Sequence, residues 1–323
     1  MEGQPESIEL NRLKFYPIMM FAIVMGISGL TIAYQKAAEF IGFPHIIGNT
    51  MMYIALALFA IISLVYLIKL MKYPKAVMNE WKHPVRINFF SAISISMLML
   101  AIITRPEYHT MGAWFWYLGT AMHTFMTLYT ITFWINHNQE IAHSNPAWFI
   151  PIVGNVLIPV GGIGLAPQMV LMYYFSIGVF FWIIFLAILF NRIIFHHQLA
   201  QKFLPTLFIM LAPPAVAFIA YFKLFHTIDT FAMFVYSIAL FFTFMLAFMF
   251  RQFLGLKFFI SWWAFIFPLA AMAIASMVMY HKMHDSFSLY MSYIMMGVAS
   301  IMTLIVLYQT IAHMFKHEIC IQE

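Results

Sequence analysis

Charge is scarce in this chain, and cysteine is nearly absent. Of 323 residues only 8% are Asp, Glu, Lys or Arg, and the one cysteine, Cys320, stands in the C-terminal tail. A lone cysteine excludes an intramolecular disulfide and carries no further compartment information. The charge deficit excludes more. With 64% hydrophobic residues and a mean hydropathy of +0.90, too few charges remain to cover a water-soluble fold. The composition is that of a polytopic membrane protein. Ten apolar runs, each of the roughly 20 residues that a helix needs to cross the hydrocarbon, occupy approximately 14–34, 46–70, 85–104, 110–135, 146–165, 168–190, 203–222, 228–250, 258–281 and 287–314. Little is left for a soluble domain, so 1–323 reads as a single transmembrane domain, all-α with ten spans. The residues before the first run include Glu2, Glu6 and Glu9 and offer no basic leader or cleavage site, so that run is expected to act as its own uncleaved signal.

The interiors of the spans lack charge altogether. Lys202, Asp229 and Asp285 lie near span ends, and no Asp, Glu, Lys or Arg is central. Proton relays, voltage sensors and counter-ion sites need such residues. An ion-coupled carrier is therefore disfavoured, although backbone carbonyls remain a way to hold Na⁺, and a passive pathway fits better. Catalytic signatures are missing too: there is no HExxH, no GxSxG and no pair of deep aspartates. Thirteen histidines raise the question of metal or haem. "HNQEIAH" sets His137, Glu140 and His143 three residues apart, and "HKMHD" sets His281, His284 and Asp285 within one turn, but both sit in short interfacial loops and no partner set completes a site. Only His123 is deep, whereas a membrane haem needs paired axial histidines, so His123 reads as a polar contact between helices. The 28 methionines, Met245 and Met249 among them, are spread along all ten spans and read as core filling rather than copper ligands. No metal and no cofactor is expected.

The charges that are present alternate. Arg12, Lys14, Lys69, Lys72, Lys75, Lys82, Arg86, Arg192, Lys202, Arg251, Lys257 and Lys316 fall on the side that would hold both termini, and Lys36, Arg105, Lys223 and Lys282 on the other. This asymmetry puts both termini in the cytoplasm. It also accounts for the net charge of +5 without a nucleic-acid partner. Lys69, Lys72, Lys75, Lys82 and Arg86 form a candidate cytoplasmic basic rim, able to attract anionic lipid or to concentrate anions at a pore mouth.

Proline divides the spans in two. Pro17, Pro84, Pro146, Pro151, Pro159, Pro205, Pro213, Pro214 and Pro268 all fall in or at the start of odd-numbered spans, and so do Gly26, Gly29, Gly154, Gly161 and Gly162. The even spans contain no proline. Irregular backbone at membrane depth is tolerated only where it is buried in protein or lines a wet cavity. The odd spans are therefore predicted to form an inner ring and the even spans to face lipid, a helical hairpin used five times. Pro17, Pro84, Pro151, Pro159, Pro213, Pro214, Pro268, Gly26, Gly29 and Gly154 are the kink residues expected to line a pore within that ring.

Four stretches of the odd spans, "HPVRINFF" (83–90), "NPAWFIPIVGN" (145–155), "LAPPAVA" (211–217) and "WWAFIFP" (262–268), in this order resemble the tellurite-resistance/dicarboxylate transporter family. That family joins TehA-type bacterial proteins, yeast malate and sulfite transporters and the slow anion channels of plant guard cells. The resemblance covers the whole chain. It implies a multi-pass protein of the bacterial inner membrane, a homotrimer with one pore per protomer, and a phenylalanine on the ninth span that plugs the pore. The matching residue here is Phe267. Plant members carry long regulatory tails that this sequence does not show, so kinase control of that kind is not expected. Three functions stay open at this point: an anion channel or channel-like transporter for small inorganic or organic anions; a secondary transporter of C4-dicarboxylates, sulfite or tellurite-type oxyanions; and a membrane redox enzyme, which the lack of deep histidine pairs disfavours.

Overall fold

Apolar runs of this length fold as helices because a backbone in hydrocarbon must satisfy its own N–H and C=O groups. The computed structural model describes residues 12–196 and 198–320; Glu2, Pro5, Glu6 and Glu9 lie outside them. Among the described residues the chain is all-helical. The α-helices are α1 (Phe21–Ile41), α2 (His45–Lys72), α3 (Pro74–Lys82), α4 (Ser91–Thr104), α5 (His109–Asn136), α6 (Ile150–Val153), α7 (Leu157–Gly162), α8 (Gln168–Phe195), α9 (Ala212–Phe225), α10 (Thr230–Phe248), α11 (Ile266–Met283) and α12 (Ser286–Phe315).

Among the described residues, eight helices, counted with the 3₁₀ segments that lead into them, are long and apolar enough to cross a membrane. Two of the ten expected spans differ from these eight, each for a visible reason. The fourth, α5, has 28 residues, but its Thr, Trp, Tyr and His side chains keep its hydropathy low. The fifth, Pro146–Gly162, is short and broken four ways: a 3₁₀ turn Pro146–Phe149, α6, a second 3₁₀ turn Gly154–Val156, and α7.

Two kinds of helix alternate along the chain. Helices α2, α5, α8, α10 and α12 are unbroken. Apart from the short α3, the others are entered through 3₁₀ turns, among them Ile18–Met20 before α1, Arg86–Phe90 before α4, Gln201–Met210 before α9 and Ile260–Phe265 before α11. Proline explains the placement, since it lacks an N–H and is accepted only where that donor is not needed. Pro17 caps the first of these turns, Pro205 lies inside the ten-residue 3₁₀ run, Pro213 and Pro214 open α9, and Pro268 is in the first turn of α11.

Burial follows the same division. The stretches Ile18–Ile41 and Arg86–Thr104, which Pro17 and Pro84 precede, and Gln201–Phe225 and Ile260–Met283, which contain proline, are 67–83% buried, whereas α2, α8, α10 and α12 are 22–39% buried. The contacts of the buried set close on themselves. Helix α1 packs on α4, α4 on α7, α7 on α9, α9 on α11, and α11 returns to α1. The close return is made by glycine: a Cβ on Gly26 would lie 3.0 Å from the Trp263 ring, and one on Gly29 2.9 Å from Cδ2 of Phe267.

A central apolar cavity

Around the junctions where 3₁₀ turns pass into α-helix, the buried segments leave a cavity of about 80 Å³. All five proline-bearing segments contribute to its wall: Ala22 and Met25; Phe89 and Ile95; Phe149, Val153, Gly154 and Leu157; Ile209, Ala212, Pro213 and Val216; Trp263, Ala264, Phe267 and Pro268. No residue of α2, α5, α8, α10 or α12 lines it. Among the described residues the wall carries no charged side chain, in keeping with the lack of central charges in the sequence.

Phe267 and Ala264, one turn earlier, are both partly exposed on this wall. Phe265 is 3% exposed. Its ring meets Phe208 edge-on at 4.7 Å, with Phe253 and Trp262 each at 5.9 Å. Residues two apart on a helix differ by about 200°, so only one of this pair can reach the lumen. Trp263 is held from behind by its Nε1–H, which donates to Thr310 Oγ1 of α12 at 3.0 Å.

The kink residues separate on inspection. Gly154, Pro213 and Pro268 line the cavity, while Pro17, Pro84, Pro151, Pro159, Pro214, Gly26 and Gly29 do not. Proline and glycine act here through the backbone, and a kink shapes the wall whichever way the ring points. The basic residues separate in the same way. Lys72, Lys75 and Lys82 are exposed and Arg86 is partly buried, but Lys69 is 1% exposed. Its Nζ donates to Glu80 Oε2 and to the carbonyl of Tyr16, both at 2.7 Å. Glu80 in turn accepts from the Tyr66 hydroxyl at 2.8 Å and from the Ile18 N–H at 3.3 Å. Lys69 therefore belongs to a buried clamp that ties α2 and α3 to the first turn of the first span.

Sequence reasoning missed a polar belt behind the cavity. Thr127 Oγ1 of α5 donates to the Pro151 carbonyl at 2.7 Å, and Asn155 Nδ2 donates to Thr127 Oγ1 at 2.8 Å and to the Ile152 carbonyl at 2.7 Å. His123 Nδ1 meets Ser94 Oγ at 2.9 Å, and a Cβ on Gly154 would lie 2.8 Å from His123 Nε2. The fifth segment needs this support because its breaks free carbonyls that an unbroken helix would satisfy. Isolated Asn, Ser and Thr within apolar runs were the available signal. The second histidine cluster has structural work instead. His281 stacks on Phe40 at 4.4 Å, His284 ends α11 in the left-handed conformation, and Asp285 caps α12 by accepting from the Ser288 N–H at 2.8 Å. Among the described residues no three His, Cys, Asp or Glu side chains gather as a metal site would require. Outside the spans, burial pushes the Cys320 thiol up to about 11.

Fold and cavity together define a multi-pass helical membrane protein built around an uncharged, apolar central void. Residues 16–311 match the voltage-dependent anion channel family, SLAC1, and the chain belongs to that family. The chain is similar to the S-type anion channel SLAH2 of Arabidopsis thaliana, 29% identical over 96% of this chain and 62% of that protein. To the S-type anion channel SLAH3 of the same plant it is 29% identical over 93% of this chain and 48% of that protein. It is also 26% identical to the tellurite resistance protein TehA homolog of Haemophilus influenzae, over 91% of this chain and 92% of that protein. The chain thus spans about half to two thirds of the plant relatives. Two of the three branches of the resemblance drawn from the four motifs, slow anion channel and TehA type, are among these relatives.

Proposed function

We propose that the chain is a passive pathway for small anions, a channel or channel-like transporter, that runs through the central cavity and is closed by the ring of Phe267. The single observation that carries this reading is that all five proline-bearing segments, and none of the unbroken helices, line one cavity onto which Phe267 projects. In full, the reading is of ten spans in five hairpins, the odd spans forming the pore ring, three such protomers per assembly, and both termini on the cytoplasmic side of a bacterial inner membrane. A hydrophobic constriction closes by steric block and by dewetting, so one aromatic ring is sufficient to interrupt an apolar path. Exposed Lys72, Lys75 and Lys82 would raise the anion concentration near one mouth.

The test compares two phenylalanines in planar bilayers at matched protein amounts. Phe267→Ala is expected to raise anion current sharply while the protein still folds. Phe265→Ala is expected to leave current near the parental level and to cost stability, about 3 kcal/mol or more for a buried phenylalanine. Current from Phe265→Ala with silence from Phe267→Ala would reassign the closing residue. Silence from both would favour the second reading, secondary transport of C4-dicarboxylates, sulfite or tellurite-type oxyanions, which the similarity to a tellurite resistance protein supports. A flux that requires H⁺ or Na⁺, rather than the anion gradient alone, would mark that mechanism.

A further inference from the structure

Four basic residues stand at the end of the ring opposite Lys72, Lys75 and Lys82. Lys36 is in α1, Arg105 follows the last residue of α4, and Lys223 and Lys282 are in the last turns of α9 and α11. None belongs to α2, α5, α8, α10 or α12. Lys36 is eleven residues beyond Met25 of the cavity wall, about 16 Å further along the helix. A cation in a last turn complements the helix dipole. That accounts for one cation per helix, but not for where the charges meet.

Three of the four converge. Lys223 experiences the charges of Lys36, Arg105 and Glu39. In the closed circuit α7 stands between α4 and α9, and α11 between α9 and α1, so these charges act on Lys223 across the interior of the ring and not along a helix seam. Two bonds fix the other members. Gln35 Nε2 donates to the Ile103 carbonyl at 3.0 Å, which sets the end of α1 against that of α4, and Arg105 Nη1 donates to the Gly161 carbonyl of α7 at 2.8 Å. Lys282 Nζ lies 5.4 Å from the centre of the Phe222 ring.

The charges here do not balance. Lys36, Arg105 and Lys223 are all partly buried, and a single carboxylate, half-exposed Glu39 in its ion pair with Lys36, serves the three. The other acids of this face, Glu107, Asp229 and Asp285, accept from Asn49, from the Ala232 N–H and from the Ser288 N–H. Among the described residues Lys223 has no hydrogen bond or ion pair. A cation withdrawn from water is costly unless it is paired, and two positive charges are left unmatched over the opening. Their complement is an anion of two negative charges whose oxygens accept from several donors at once.

We infer that Lys36, Arg105 and Lys223 form a seat for one small divalent anion, an oxyanion of the sulfate type or a short dicarboxylate, over the mouth of the ring away from the termini. The inference deepens the reading of the ring as an anion path and rests on it. A protein that passes no current can still fill the seat, so the bilayer test of Phe267 and the binding test below fail separately.

The full-length protein is purified in detergent, and its thermal unfolding is followed while sulfate, succinate or chloride replaces gluconate at constant ionic strength. Sulfate and succinate are expected to raise the midpoint saturably, at lower concentration than chloride. General stabilisation by excluded sulfate does not saturate and is shared by every variant. Lys223→Gln keeps a donor and removes the charge, and should weaken the apparent sulfate affinity by about tenfold or more, because a hydrogen bond to a charged group is worth at least one such factor. Glu39→Gln removes the competing carboxylate and should tighten sulfate by about two- to fivefold, the range of a half-exposed charge pair. A cation that serves only its helix dipole predicts no such gain. Absence of a saturable sulfate effect in the parent overturns the inference, and so does a parental response in Lys223→Gln or a weakened one in Glu39→Gln. If Lys223→Gln does not fold, an unchanged response in Lys36→Gln overturns it. Chloride acting at the same concentration as sulfate would contradict the divalent assignment and overturn it as well.

Discussion

Phe267 and Lys69 show what one residue does and does not reveal in a sequence. The orientation of Phe267 relative to Phe265 was legible, because a helix turns by about 100° per residue and that rule needs no tertiary information. Lys69 was not legible. A lysine at the end of an apolar run reads as an interfacial charge with its head in water, and its partner Glu80 arrives only because the chain reverses at Tyr73 and Pro74 into a separate helix. The pair has a mechanical consequence, since the same carboxylate accepts from the Ile18 N–H at the entry to the first span. Lys69→Met would leave Glu80 buried beside Tyr66 without its cation, and loss of one partner of a buried pair typically costs about 3–5 kcal/mol. Thermal unfolding in detergent is expected to show a large drop for Lys69→Met and a partial recovery in the double variant Lys69→Met/Glu80→Gln. A double variant no better than the single one would show that the clamp is not the source of the loss.

At the scale of helices, the proline census agrees with the burial of the eight helices long and apolar enough to cross a membrane, while the 3₁₀ turns at the helix entries were hidden. An α-helix and a 3₁₀-helix differ by only 0.6 residue per turn, and in a run that is apolar on every side no periodicity separates them. The reason for the turns appears only in three dimensions, where each irregular entry lies near the central cavity. The fifth segment is the extreme case, and its freed carbonyls are met from α5. Thr127→Val removes the hydroxyl that serves both the Pro151 carbonyl and Asn155 Nδ2 while keeping the side-chain shape. Each buried group left unpaired costs about 1–3 kcal/mol, so the variant is expected to unfold at clearly lower temperature. Thr124→Val on the same helix provides the control, because Thr124 bonds only its own helix and the Tyr174 hydroxyl. Equal losses in the two would show that the belt gives no special support to the broken segment.

For the whole molecule, low charge, ten apolar runs and the distribution of lysine and arginine bound the class from the sequence alone. The resemblance of four short motifs narrowed it to a family to which residues 16–311 belong. The closed circuit of buried helices could not be read from the sequence, because the contact between α11 and α1 joins segments more than 200 residues apart. That circuit is what makes one cavity out of five segments, and the most direct measurement asks whether anions pass through it. With Cys320→Ser removing the native thiol and Phe267→Ala opening the path, Ala264→Cys places one thiol on the cavity wall beside the vacated ring. In planar bilayers, a charged thiol reagent should abolish the anion current of this variant irreversibly and leave the current of the same protein without Ala264→Cys unchanged. Current that persists after mass spectrometry shows the cysteine to be fully modified would contradict conduction through the central cavity.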